Sequence, residues 1–178
     1  MRVYILRAHS DHYQSVLMRV GNLFEFARRF DGKPFKGSWK DVEIGLDPRR
    51  LPKGDTPSLI PGVPVFSGKA VTALQDVLEQ NGELLPIFVE GDEYFLFNVT
   101  TVIDALDESN SKIDRFEGSS KVLYIDSYGF FREMLSGTFI FKIPQTPTGN
   151  VFVTDQFVGR VRAAGLKGFW FPLVWSSD

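Results

Sequence analysis

Three stretches of the sequence hold residue types that could do chemistry. Asp104, Asp107 and Glu108, with Asp114 beyond, follow an apolar run. Carboxylates leaving a strand can hold a divalent metal or serve as acid and base, so a metal-dependent enzyme using Asp104, Asp107 and Glu108 is one reading. No histidine, lysine or serine nucleophile is tied to them by spacing, so a solvated rim or a helix-capping role is the simpler one. His9-x-x-His12, with Asp11 between, is a second candidate. The chain has 2 His and no Cys, so further ligands would have to be carboxylates. A structural zinc normally takes four ligands, which favours a solvated loop. The third is Gly32-Lys33-Pro34-Phe35-Lys36-Gly37-Ser38. It superficially resembles a phosphate loop, but it lacks the lysine before the serine and has Pro34 inside, and no apolar strand leads into it. With Arg28, Arg29, Trp39 and Lys40 it interleaves basic and aromatic side chains, as a binder of single-stranded nucleic acid through residues 28–40 would. The acidic total charge disfavours a nucleic-acid partner and favours a basic loop pinned by Phe35 and Trp39. Ser67 and Ser111 sit in no motif that would activate a nucleophile. No catalytic residue, metal-ligand set or cofactor motif emerges.

At 178 residues the chain fits one domain able to bury a real core. Hydrophobic residues make up 43% and Phe occurs 17 times, which excludes global disorder. The lack of cysteine excludes disulfides, thiolate metal sites and thiol nucleophiles. The N-terminus lacks the long apolar stretch of a signal peptide, and no run approaches the ~20 apolar residues of a membrane span. The expected location is the cytoplasm, with no membrane partner. The net charge of -2 is segregated. Residues 1–53 carry 11 Lys/Arg against 6 Asp/Glu, residues 54–119 carry 3 against 12, and residues 120–178 carry 6 against 4. An acidic middle can be balanced internally or can face a basic partner.

The elements that must position these residues centre on 61–107. Pro61 to Phe66 is extended. Ser67 stands as N-cap to a helix with Ala70, Val71, Leu74, Val77 and Leu78 on one face, closed by Asn81-Gly82. Leu84–Glu90 and Glu93–Val99 read as strands joined by a Gly91-Asp92 turn. Both are apolar on both faces, which predicts positions near the centre of a covered sheet, with Pro86 at a strand start or bulge. Upstream, Met1–Ala8 is a strand, Leu23–Arg29 a short helix, and residues 31–59 a long irregular stretch containing Val42-Glu43-Ile44 as a short strand. Downstream, Asp107–Ser111 is a loop, and Val122–Asp126, Thr138–Ile143 and Val151–Val153 are strands. Thr154 caps a second helix carrying Phe157, Val158, Val161 and Ala164, which Gly165 stops, and Phe169–Trp175 is a last strand. Edge strands such as Val3–Arg7 or Phe169–Trp175 could pair between chains into a homo-oligomer. The expected fold is a single α+β domain with a central, mostly antiparallel sheet, two main helices and a long irregular N-terminal segment. Residues 1–59 would wrap a core formed by 60–178.

An ordered set of short motifs carries a family resemblance. They are Pro64-Val65-Phe66-Ser67, Leu84-Leu85-Pro86, Tyr94-Phe95-Leu96-Phe97-Asn98-Val99, Leu106-Asp107, Ser111, Ile140-Phe141-Lys142, Val153-Thr154-Asp155-Gln156-Phe157, and Ala164-Gly165-Leu166-Lys167-Gly168-Phe169-Trp170-Phe171. Over residues 35–175 the chain resembles the Myxococcus-type immunity-protein family of bacterial polymorphic toxin systems, formerly a domain of unknown function. The resemblance implies a cytoplasmic antidote that binds a cognate toxin domain without doing chemistry. The matching residues are apolar or turn-forming, so they carry over as scaffold and name no binding residue. The acidic segment 54–119 makes Asp104, Asp107 and Glu108 the expected toxin-binding face, toward a basic partner.

Overall fold

The structure is a computed structural model that describes residues 1–35, 37–40 and 42–177. Strands β1 (Arg2–Ile5), β2 (Arg7–Ala8) and β3 (Val16–Met18) lead to helix α1 (Leu23–Ala27) and strand β4 (Ile44–Leu46). Then come β5 (Val65–Ser67), helix α2 (Gly68–Asn81), β6 (Gly82–Val89) and β7 (Asp92–Val99). The rest is β8 (Lys112–Arg115), β9 (Val122–Ser127), β10 (Ile140–Phe141), β11 (Phe152–Thr154), helix α3 (Asp155–Ala163), β12 (Phe169–Trp170) and β13 (Leu173–Ser176).

The fold is α+β, and every pairing between these strands is antiparallel. The strands divide among a four-stranded sheet in the order β10-β11-β1-β13, a three-stranded sheet β5-β7-β6, and the pairs β2–β12, β3–β4 and β8–β9. β1 is therefore not an edge, as the sequence suggested: Val3 pairs with Thr154 on one side and Trp175 on the other.

β7 shows why its residues are apolar on both faces. Phe97 and Val99 join α2 and α3 in one core, with Leu74, Leu78, Phe157 and Val161. Tyr94 and Leu96 join a second core built from the N-terminal segment, with Phe26, Phe30, Phe35 and Ile44. β6 takes the edge instead of a central position. Pro86 lies inside β6, opposite Phe95. Counting back from the tight turn, Pro86 falls in a non-hydrogen-bonded pair, so its missing N–H costs the ladder nothing. Its outward carbonyl accepts from Trp39 Nε1 at 3.3 Å.

The turn between β6 and β7 is Glu90-Gly91, one residue earlier than expected. Val89 pairs with Asp92, and both central residues take positive φ, 49° at Glu90 and 89° at Gly91. A two-residue turn of this hand suits strand twist but strains a side chain such as Glu90. Glu90→Asn is expected to raise the unfolding free energy by about 0.5–1 kcal/mol. An unchanged or lower urea midpoint would contradict this.

Ser67 caps α2 as expected, accepting from the Ala70 N–H at 3.2 Å. Its hydroxyl also donates to Asp55 Oδ1 at 3.0 Å. Asp55 Oδ2 accepts from the Lys167 N–H at 2.8 Å, so one nearly buried carboxylate ties the start of α2 to the loop after α3. At the other end of α2, Gly82 is extended (φ 174°) and begins β6 directly, with no left-handed closing residue. Thr154 precedes α3 but does not cap it: its hydroxyl donates to the Thr138 carbonyl at 2.6 Å. Helix α3 ends as expected, with the Gly165 N–H donating to Arg162 O and the Leu166 N–H to Val161 O.

The irregular N-terminal segment is held by polar clamps. Fully buried Asn98 donates to the Lys33 carbonyl at 2.9 Å and to Glu83 Oε2 at 2.8 Å, and the same Glu83 oxygen accepts from the Phe35 N–H at 2.8 Å. Lys142 is fully buried too, and its ammonium donates to the Phe30 carbonyl at 2.5 Å.

Candidate functional site

The chain leaves β7 and pairs briefly with a later segment. Leu106 bridges Phe130, the Asp107 N–H donates to Gly129 O, and the Phe131 N–H donates to Ala105 O. Ala105 and Leu106 are buried by this pairing, and Asp104 and Glu108 are left exposed on either side. Gln145 joins these two carboxylates: its Nε2 donates to Asp104 Oδ1 at 2.8 Å and Glu108 Oε1 at 3.3 Å. The other Glu108 oxygen accepts from Arg115 at 2.7 Å.

Asp107 plays a different part. Its Oδ1 accepts from the N–H groups of Ser109 and Asn110, and its Oδ2 from the Asn110 side chain at 2.7 Å, capping a single 3-10 turn. The Asn110 amide, with those backbone donors, holds the Asp107 carboxyl below the usual carboxylate range. Ser111 completes the turn, donating to Asp107 O and accepting from the Gly129 N–H. The sequence thus grouped three carboxylates that the structure separates into an exposed pair and a capping residue.

Arg115 belongs to the hairpin of β8 and β9, which form a two-stranded sheet of their own. Its inner face is Ile113 and Ile125, which pack on a third core made by Phe130, Leu135, Phe141 and Phe152. Phe116, Leu123 and Tyr124 stay exposed at 51%, 53% and 50%. Leu123 is the extra residue of a bulge, since Tyr124 pairs with Asp114 while Val122 pairs with Arg115. Between residues 104 and 126 the chain carries six Asp/Glu against three Lys/Arg, so the surface around these apolar side chains is acidic. The sequence reading missed this arm because it found β9 but not β8. Lys112 to Arg115, Gly118-Ser119-Ser120 and Val122 to Ser127 do form a strand–turn–strand pattern that could have shown it.

The other candidates are placed plainly. The rings of His9 and His12 meet edge to face at 4.4 Å, and both line a shallow recess with Tyr13, Pro52, Lys53 and Lys167. Two lysines there repel a cation. Among the described residues no three His, Asp or Glu side chains are grouped to hold a metal ion. In the 28–40 segment, where Lys36 lies outside the described residues, Phe35 packs against Phe30 and Trp39. Trp39 also packs near Phe26, and Arg29 lies 4.9 Å over the Phe35 ring. The rings that base stacking would need are committed to packing, so Phe35 and Trp39 do anchor this loop.

These features describe a mixed α+β protein with an exposed acidic and apolar surface and no assembled catalytic group among the described residues. The profile of the Immunity protein family (Imm11) matches residues 85–174, half of the chain, and the chain belongs to this family. The match runs from within β6 into β13. It therefore includes Asp104, Asp107, Glu108 and the β8–β9 arm, and leaves α2 and the N-terminal segment outside. No curated protein matches the chain. Membership points to an immunity function rather than an enzymatic one and implies a toxin partner. No helix among the described residues is long and apolar enough to cross a membrane.

Proposed function

We propose that this protein is a cytoplasmic immunity protein of a bacterial polymorphic toxin system. It neutralises a cognate toxin domain by binding it, without chemistry. The contact surface is the exit of β7 and the adjoining arm: Asp104 and Glu108, positioned by Gln145 and Arg115, with Phe116, Leu123 and Tyr124 beside them. Asp107 contributes by holding the turn that presents Glu108. The observation that supports this reading is the coincidence of three exposed large apolar side chains with an excess of carboxylates along residues 104–126, six Asp/Glu against three Lys/Arg. Apolar anchors ringed by charge are the usual composition of a specific interface. The excess of carboxylates selects a basic partner, such as a nuclease toxin, by steering and by complementarity.

The test uses the purified cognate toxin domain. Asp104→Lys with Glu108→Lys is expected to weaken binding at least ~100-fold and to flatten its salt dependence. Phe116→Ala with Tyr124→Ala is expected to speed dissociation with little change in salt dependence. Unchanged affinity in both double variants, each shown to be folded, would overturn the assignment of this surface.

A further inference from the structure

The four-stranded sheet has two outer strands, β10 and β13. Beyond β10 the sheet is covered. Val102 bridges Lys142, the Lys142 N–H donates to Thr101 O at 2.9 Å, and the Ile103 N–H donates to Lys142 O at 2.9 Å. Beyond β13 there is no strand among the described residues. One side of this sheet is therefore open and the other is closed.

The open side is uncharged. From Gly168 to Ser177 the chain carries no Asp, Glu, Lys or Arg. Phe169, Trp170, Phe171, Leu173, Val174 and Trp175 lie in this run, and not one of them is buried. Val3, Phe141 and Phe152, on the three other strands of the sheet, are fully enclosed. Leu173 and Trp170 are more than half exposed, at 55% and 53%. Soluble proteins guard such an edge with a charge, a proline within the strand or a covering segment. β6, an edge strand of the three-stranded sheet, has two of these devices: Pro86 sits inside it, and Trp39 donates to the outward Pro86 carbonyl. β13 has no proline inside it and no charge. Its extra residue, Val174, where the register steps from Trp175 to Leu173, adds twist but brings no neighbouring strand to the outer side. An apolar strand edge of this kind is a template for another strand.

A second copy of this chain supplies the matching strand. A basic toxin gains nothing from an uncharged edge. β13 set against β13 brings no like charges together, and antiparallel pairing is what a two-fold axis normal to the sheet generates. With the β10 side covered, the joined sheet offers no further edge, so association stops at two copies. We propose that β13 pairs antiparallel with β13 of a second copy, joining the two sheets into one and covering Leu173 and Trp170 at the seam. The seam uses none of the residues assigned to the toxin and is measured without the toxin, so the two readings fail separately.

Sedimentation equilibrium of the full chain tests this. The mass is expected to rise from 20.1 kDa towards twice that value, with a dissociation constant of about 1–50 μM. Adding about 1 M NaCl should change that constant by less than about threefold, because the seam carries no charge. Leu173→Lys, at an exposed position, should weaken association at least ~30-fold and leave the urea midpoint unchanged. In the wild type, amide exchange over residues 173–175 should slow as the protein is concentrated through the transition. Asp104→Lys with Glu108→Lys should dimerise as the wild type does. A monomer at about 200 μM, a dimer that survives in folded Leu173→Lys, or one dispersed by salt or by the Asp104 and Glu108 changes would each overturn the proposal. So would a dimer in which exchange over residues 173–175 is unchanged.

Discussion

Raising the pH from 8 to 10.5 is expected to stabilise this protein, with Lys142 contributing about 3 kcal/mol of the gain. Burial lowers the Lys142 pKa from 10.5 to about 8, with Asp31 opposing weakly. Below pH 8 the ammonium is charged in both the folded and unfolded chain, and the fold bears the cost of enclosing it. Between 8 and 10.5 the unfolded chain still binds the proton while the folded chain has released it, so folding becomes more favourable as pH rises. The gain is complete near 10.5. From about pH 10 other groups pull the opposite way. Burial raises the phenols of Tyr94 and Tyr128 above their ordinary value, so their contribution falls once the pH passes that value, and the Lys53–Asp92 and Lys112–Asp126 pairs raise those lysines, whose contribution falls as pH rises past the ordinary lysine value. Urea unfolding of the wild type and Lys142→Met at pH 7, 8.5 and 10 measures this. Met has similar length and no charge, so it should remove the rise between 8 and 10. The same rise in both proteins would show that another group is responsible.

Gly82→Ala is expected to destabilise the fold by about 3 kcal/mol or more. Strand β6 starts directly from α2, and this brings the Gly82 backbone against β7. A Cβ at Gly82 would lie 2.2 Å from the Asn98 carbonyl oxygen and 2.8 Å from the Phe97 ring. Backbone cannot yield as a side-chain tip can, so β7 would have to shift. Asn98 is also the residue that clamps Lys33 and Glu83, and the damage should spread to the N-terminal segment. Faster amide exchange over residues 31–35 would accompany the lower urea midpoint. A loss of less than about 1 kcal/mol would show that the α2–β6 junction is not tight.

Local chemistry made part of this fold legible. The Ser67 cap, the apolar stripe of α2 and the termination of α3 at Gly165 all follow from nearest-neighbour rules. Where distant chain enters, the reading fails. Phe139, Phe141 and Ile143 alternate as a half-exposed strand would, which puts Lys142 on the solvent side. The N-terminal segment covers that side, and Phe30 meets the lysine there. Pro86 argued for a strand start or a bulge because spacing does not say which strand is the edge. In the acidic stretch, residue types identified the carboxylates, but only the positions of Gln145 and Asn110 separate Asp104 and Glu108 from Asp107. The exposed apolar residues of the arm were missed for the same reason: what a strand leaves uncovered depends on what else packs against it.

β1 lies between β11 and β13, and this has a consequence for how the molecule is made. Val3 has to wait for Thr154 and Trp175 before its sheet exists. At about 5–20 residues per second a ribosome needs roughly 10–30 s to travel from one to the other. During that time an apolar strand is synthesised, exits and has no lateral partner, while the α2–β6–β7 unit already has all its local pairings available. Closing so long a loop is slow relative to local pairing. The α2–β6–β7 unit is therefore paired before Arg2–Ile5 meets either of its neighbours, which makes the four-stranded sheet the later of the two to form.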